Sequence, residues 1–467
     1  MGKKHHTSLR KAPAGFAALA MIGPSLVWVS EYIGSGEVII ATRAGALLGT
    51  GILWAVVAGI FLKFWIGMSG ARYTVTTGEG MIDLFDRMPG PAHWAVWMIM
   101  IIQLAAAAVS IGSVASAGGI FLAHITHMPR FMGGWLITLA AFGIAWKGTF
   151  KWLKITMSIL VLTVIVGVIY VAVNVFPSAA EFFSGLVPSK PEMPEWAIDK
   201  GLDINPWREI LPLLGWGAGG FASQVWYSYW VIGAGYGMTS KDGYGIPADR
   251  EKLQSIDAGS AKELRKWQRF VSKDASLAMI IGIVATGGFL IAGAGILGSR
   301  QVVPEGEHVA LQLSELFSAN WGTTGAFLFV LGGAAALFST QIGQLAGWPR
   351  LLSDAFRLCM PKTAGRIPWK QQFRVILVFL TLASMTIIFT LGYKPVVLVK
   401  FAAIFEGLLL TPIQALGLFF GLYFVMPEFF RPEVRKTITP HWSVGAGLLV
   451  AFLFFLYFCV VQLPAIL

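Results

Sequence analysis

Thiols are scarce in this chain. Its 467 residues include two cysteines, Cys359 beside a basic stretch and Cys459 inside an apolar run. Two such residues cannot build a metal–thiolate centre, and their unlike surroundings offer no pair suited to a disulfide. Charge is scarce as well, at 13% Asp, Glu, Lys and Arg. A soluble domain of this length needs far more polar surface than that. Acids are outnumbered by bases, 24 to 35, for a formal charge of +11. That excess alone would fit a nucleic-acid partner, but the bases gather in alternate loops, which no nucleic-acid surface requires. Catalytic signatures are missing too. There is no H-E-x-x-H helix pair, no G-x-S-x-G elbow, and no Lys-Ser/Thr after the glycine-rich runs. The chain therefore reads as neither metalloprotease, serine hydrolase nor phosphate-loop enzyme. No cleavable leader is expected, because Lys3, Lys4, Arg10 and Lys11 lead into an apolar run that reads as a first span.

What the chain has in abundance is hydrocarbon: 56% hydrophobic residues and a mean hydropathy of +0.70. Apolar segments fall near 16–48, 52–74, 92–123, 131–147, 152–176, 208–236, 271–297, 324–348, 375–393, 395–426 and 442–465. Continuous runs of this length cross a bilayer as helices, whereas barrel strands would alternate. The expected fold class is an all-α polytopic membrane protein of about 11 transmembrane helices. A cytoplasmic N-terminus places about 26 Lys and Arg inside and about six outside, with the C-terminus extracytoplasmic. The basic loops include Lys252 to Lys273 and Arg350 to Arg374, while Glu192, Glu195, Asp199 and Asp203 lie in an outer loop.

Two spans carry glycine clusters near their middles. The first holds Tyr32-Ile33-Gly34-Ser35-Gly36-Glu37, and the sixth runs from Gly215 through Gly217, Gly219 and Gly220 to Gln224. Such clusters suit an unwound stretch, though they also permit close helix packing. Spans one and six are five apart, the distance between equivalents in an inverted repeat of five helices. The division expected is a tail (1–15), a first repeat (16–177), an outer loop (178–206), a second repeat with a cytoplasmic loop (207–427, loop 237–270), and span eleven (428–467).

At these residues the chain resembles the Nramp family of divalent-metal transporters, and within it the divergent Nramp-related magnesium transporter branch. In the family, a tyrosine and one apolar residue precede DPGN, with AGA and LLW downstream. Here Tyr32-Ile33 precedes GSGE, then Ala44-Gly45-Ala46, Gly49 and Leu53-Trp54 follow. Residues 69–80, SGARYTVTTGEG, are similar to the family's SAKLGIATGRNL, and residues 178–188, SAAEFFSGLVP, to its loop before span six. Gln341-Ile342-Gly343-Gln344-Leu345-Ala346-Gly347 resembles its span-eight run ending in TLAG. The resemblance implies a LeuT-like fold, an inverted 5+5 repeat of spans 1–5 and 6–10 with helices 1 and 6 discontinuous.

The departures bear on function. The family's metal-binding aspartate falls on Gly34, and its asparagine on Glu37. In span six the family's Ala-x-x-Met and histidine fall on Gly219, Ala222 and Gln224; a one-residue shift would use Ala218 and Phe221 instead. Either register removes the thioether and the imidazole. A soft sulfur favours Mn²⁺ and Fe²⁺, whereas Mg²⁺ wants oxygen, octahedral geometry and its own waters. The expected cargo is a hydrated Mg²⁺, with Mn²⁺ tolerated, held by Glu37 through water, by carbonyls near Gly34 and Gly219, and by Gln224. Ser35, Ser223, Glu31 and Glu406 are further pathway candidates. The alternative for Glu406 is a structural pair with Lys400, and Lys63 is expected to snorkel or to cap a neighbouring carbonyl. His124 and His127 form an H-x-x-H without further ligands for zinc.

The family's third span carries acids that resemble a proton relay, but Ile101 to Gly119 contains no Asp, Glu or His. The expected transport is therefore uncoupled, with no catalytic residues and no cofactor. Two alternatives stand beside it: a proton-coupled Mn²⁺/Fe²⁺ importer and an organic-substrate symporter of the same architecture. The expected partners are the ion and the lipid of the cell membrane, with no nucleic acid and a monomer as functional unit.

Overall fold

The computed structural model describes residues 10–16, 21–34, 36–147, 150–305, 309–392 and 394–466. Among them there is no strand, and the eleven apolar segments fall on helices. Span one is split into Pro24–Tyr32 and, after a π-helical turn at Gly36–Ala41, Thr42–Leu48. Gly49, at φ 66°, ends it, and span two follows as Leu53–Thr77. Trp94–Thr126, Arg130–Trp146 and Phe150–Asn174 are spans three to five. Span six is split into Trp207–Trp216 and Phe221–Ala234. Spans seven, nine and eleven include Ala258–Ala292, Trp369–Leu391 and Trp442–Tyr457. Span eight belongs to Val309–Cys359, which is kinked at Gly322. Span ten starts at Pro395–Ala402, passes a π-helical turn at Ala403–Leu408, and resumes at Thr411–Phe420. Among the described residues, seven stretches are long and apolar enough to cross a membrane by length and composition.

Lipid explains the side chains at the rim. Ile159, Leu162 and Val166 of span five are each 62% exposed, and Val375 and Leu382 of span nine 67% and 60%. Such a face is stable only where hydrocarbon replaces water. The split spans lie inside instead. Span two packs against the second half of span six and against span seven, and span three against span eight. The first half of span one packs against spans five, six, seven and eight. Two broken helices are thus enclosed by unbroken ones, the setting in which freed main-chain groups can be satisfied away from lipid.

The 237–270 loop holds a short helix, Arg250–Gln254, before span seven begins at Ala258. At the far side of the centre Arg43, 2% exposed, grips Glu209 with two guanidinium nitrogens, at 3.1 and 3.2 Å. Lys400 donates to the same carboxylate at 2.9 Å. Lys400 therefore belongs to Glu209, in the first turn of span six, and does not pair with Glu406, which bonds Ala222 at the mid-span break.

Candidate functional site

In span one the break follows directly from glycine. The first half ends at Tyr32, and Gly34 lies against span eight so tightly that an added Cβ would stand 1.9 Å from Thr340 Oγ1. The Thr340 hydroxyl donates to the Glu31 carbonyl at 2.6 Å, satisfying a group the break sets free. An aspartate at position 34, where the resemblance would place a metal ligand, is excluded by this contact unless Thr340 gives way. Ser35 lies outside the described residues. Gly36 is held against the Trp216 ring, which a Cβ would approach to 2.3 Å.

Glu37 opens the next helical segment. It is 1% exposed, and its Oε2 accepts from the Gly34 N–H at 3.1 Å. A carboxylate at the start of a half-helix is favoured by the orphan N–H groups there. Its other oxygen, Oε1, is buried and has no hydrogen-bond partner among the described residues.

Span six is broken over Gly217 to Gly220. Ala218 and Gly219 take φ 59° and 73°, the left-handed region that costs alanine energy and glycine little. The carbonyls released here have side-chain donors. Lys63, with no exposed surface in the middle of span two, donates to the Gly215 carbonyl and, at 2.8 Å, to the Gly219 carbonyl. Gln224 Nε2 donates to the Ala218 carbonyl at 2.7 Å, while Gln224 Oε1 is a second buried oxygen without a partner. The Gly34 carbonyl also accepts, from Val38 N–H at 2.8 Å. The carbonyls that the sequence leaves free for an ion are thus engaged by the protein itself, since each buried C=O needs a partner.

Two further carboxylates complete the centre. Glu31 and Glu406 are each 3% exposed. Glu31 Oε2 accepts from the Ser223 hydroxyl at 2.6 Å, and Ser223 Oγ accepts from Trp28 Nε1 at 3.1 Å. Glu406 Oε1 accepts from the Ala222 N–H at 2.5 Å, at the start of the second half of span six. The approach of span ten depends on glycine: a Cβ on Gly407 would lie 1.9 Å from the Gly215 carbonyl oxygen. Phe221 turns its ring to Phe85, 5.8 Å away, and its carbonyl accepts from Gln414 at 3.1 Å. Gln414 Oε1 is a third buried oxygen without a partner.

Glu31, Glu37, Ser223, Gln224, Ala222, Ala218, Gly219, Phe221 and Glu406 are therefore brought to one centre between the two breaks, and Gly34 borders it. Glu31 is in electrostatic reach of both Glu37 and Glu406, and Lys63 of Glu37 and Glu406. Among the described residues no three His, Cys, Asp or Glu side chains converge closely enough to grip an ion directly, His124 and His127 included. Thr340, Gln414 and Lys63 were not marked by sequence reasoning as parts of the centre. For Lys63 a signal existed, since a lysine far from either end of its helix has no interface to snorkel to.

Known proteins share both segment and fold. The family model Nramp, described as natural resistance-associated macrophage protein-like, matches residues 25–198. The divalent metal cation transporter MntH of Yersinia enterocolitica is 33% identical over 81 residues, 17% of this chain and 20% of that protein. The match thus spans about a fifth of that relative's length. A crystal structure of the Eremococcus coleocola manganese transporter superposes with a TM-score of 0.67 at 15% identity, covering 95% of this chain and 88% of that one. MhsT in complex with L-phenylalanine superposes with a TM-score of 0.56 at 14% identity, covering 92% and 98%. These likenesses establish the LeuT-like fold, with spans one and six as its discontinuous helices.

Proposed function

We propose that the chain, whose residues 25–198 match the Nramp family model, is a transporter of that family and carries divalent metal ions across the cell membrane by alternating access. Mg²⁺ is the preferred cargo, largely hydrated, and Mn²⁺ is also accepted. The observation that carries this reading is a pair of buried oxygens without hydrogen-bond partners, Glu37 Oε1 and Gln224 Oε1, one at each break. Each is therefore available to accept from the water shell of an ion or to bind the ion itself. Both are hard donors. Ala222 stands where the family carries its thioether, so no soft ligand biases the centre towards transition metals.

The packing supports a water-mediated site over a direct one. With the carboxylates bonded to separate partners and no tight acid cluster, a bare ion would lose more hydration than it gained. A hydrated ion needs acceptors for its water protons, which Glu37, Gln224 and Glu406 supply once the halves separate. In this reading residues 16–177 and 207–427 are the two repeats, the N-terminus and the basic loops are cytoplasmic, and a monomer is the working unit.

Transport is read as uncoupled. Where the family carries acids, span three offers neutral groups: Gln103 accepts from Trp348 at 2.8 Å and Ser110 from Gln344 at 3.1 Å. Amides and hydroxyls hydrogen-bond but do not store a proton at physiological pH. The test is uptake of Mg²⁺, Mn²⁺ and Ca²⁺ in parallel by proteoliposomes, with the lumenal pH recorded. Mn²⁺ uptake indifferent to millimolar Mg²⁺ would overturn the preference.

A further inference from the structure

The Lys63 ammonium has the surroundings of a bound ion. It has no exposed surface, and its direct acceptors are two main-chain carbonyls, Gly215 just before the span-six break and Gly219 within it. Gly215 lies in the last turn of the first half of that span, Trp207–Trp216, so the ammonium also sits at the negative end of a half-helix. Broken helices in transporters present this donor set, freed carbonyls and a half-helix C-terminus, to coupling cations. Glu37 and Glu406 act on it electrostatically, yet among the described residues no carboxylate reaches within ion-pair distance of it. Its place is on the carbonyls.

The geometry points to Lys63 as a tethered cation that permanently fills a second cation subsite of the centre. Its charge then determines what the remaining space accepts. The ammonium shares the centre with the carboxyl groups of Glu31, Glu37 and Glu406, so removing it changes by one the charge that a cargo ion must balance. No free sodium or potassium need travel with the cargo, because the ammonium already holds the carbonyls of the break. Lys63 is thus a specificity-determining residue. This inference rests on the transport reading and deepens it.

The test compares wild type, Lys63→Arg and Lys63→Met, purified and reconstituted, in sodium, potassium or N-methylglucamine chloride at equal ionic strength. Removing the tethered charge should open the subsite to a small free cation. Thermal unfolding of Lys63→Met is then expected to shift upward with Na⁺ or K⁺ but not with N-methylglucamine. Its Mn²⁺ uptake should fall about tenfold or more in N-methylglucamine and recover most of that loss with the small cation. Wild type and Lys63→Arg should respond to none of the three. If Lys63→Met does not fold, Lys63→Gln, which retains one donor for the carbonyls, takes its place. Uptake by the variant at the wild-type rate in N-methylglucamine, or no stabilisation by either small cation, overturns the proposal. A wild type that moves neither Mg²⁺ nor Mn²⁺ removes the transport reading instead, while the unfolding shift still reports on the subsite.

Discussion

Glu406 occupies the volume that a side chain on Gly220 would need: a Cβ there would stand 1.5 Å from Glu406 Oε2. The contact ties span ten to the second half of span six, since Glu406 also accepts from Ala222 N–H. Gly220 has an ordinary extended backbone, φ −88°, so the constraint is one of space and not of conformation. Gly220→Ala should therefore destabilise the protein by about 1–3 kcal/mol through overpacking. Thermal unfolding in detergent checks this, and combining it with Glu406→Ala should restore part of the loss.

The contact of Gly34 with Thr340 makes a second prediction. Restoring the family's aspartate by Gly34→Asp should fail, because Thr340 fills the space. The expected single variant is less stable and slow in Mn²⁺ uptake. Adding Thr340→Ala should recover both, and equal behaviour of the single and double variants would show that Thr340 is not the obstacle.

Selectivity should respond to a sulfur. Ala222 is 1% exposed at the start of the second half of span six, beside Glu406. Ala222→Met adds a soft donor and should raise preference for Mn²⁺ over Mg²⁺ by about tenfold. Competition of Mg²⁺ against Mn²⁺ uptake reads the ratio directly, and an unchanged ratio would place position 222 away from the ion.

On the proposed reading of transport as uncoupled, no proton accompanies the ion. Vesicles loaded with a pH dye should stay at constant lumenal pH when Mg²⁺ is added at zero imposed pH gradient. Uptake should rise instead with an inside-negative potential, because two charges at 100 mV gain about 4.6 kcal/mol.

The broken helices were legible in the sequence because glycine leaves a local mark: clusters at 34–36 and 215–220 lie mid-span in apolar surroundings. Glu37 was legible for a similar reason, as an acid beside such a cluster. What joins the two breaks was not. Lys63 and Gly219 are 156 residues apart, and Glu406 and Ala222 are 184. No periodicity records contacts of that kind. The π-helical turns at Gly36–Ala41 and Ala403–Leu408, which aim Glu37 and Glu406, have no composition of their own. The Arg43–Glu209–Lys400 cluster was equally silent, for its members come from three spans.

The central claim is that a hydrated divalent ion is held by hard oxygens at Glu37, and Mg²⁺ uptake by proteoliposomes with wild type and Glu37→Gln tests it most directly. The substitution keeps size and a hydrogen-bonding oxygen but removes the charge. It should weaken Mg²⁺ uptake by about 10–100-fold while leaving thermal stability near that of wild type. Uptake by Glu37→Gln and Glu37→Ala at the wild-type rate would contradict the account.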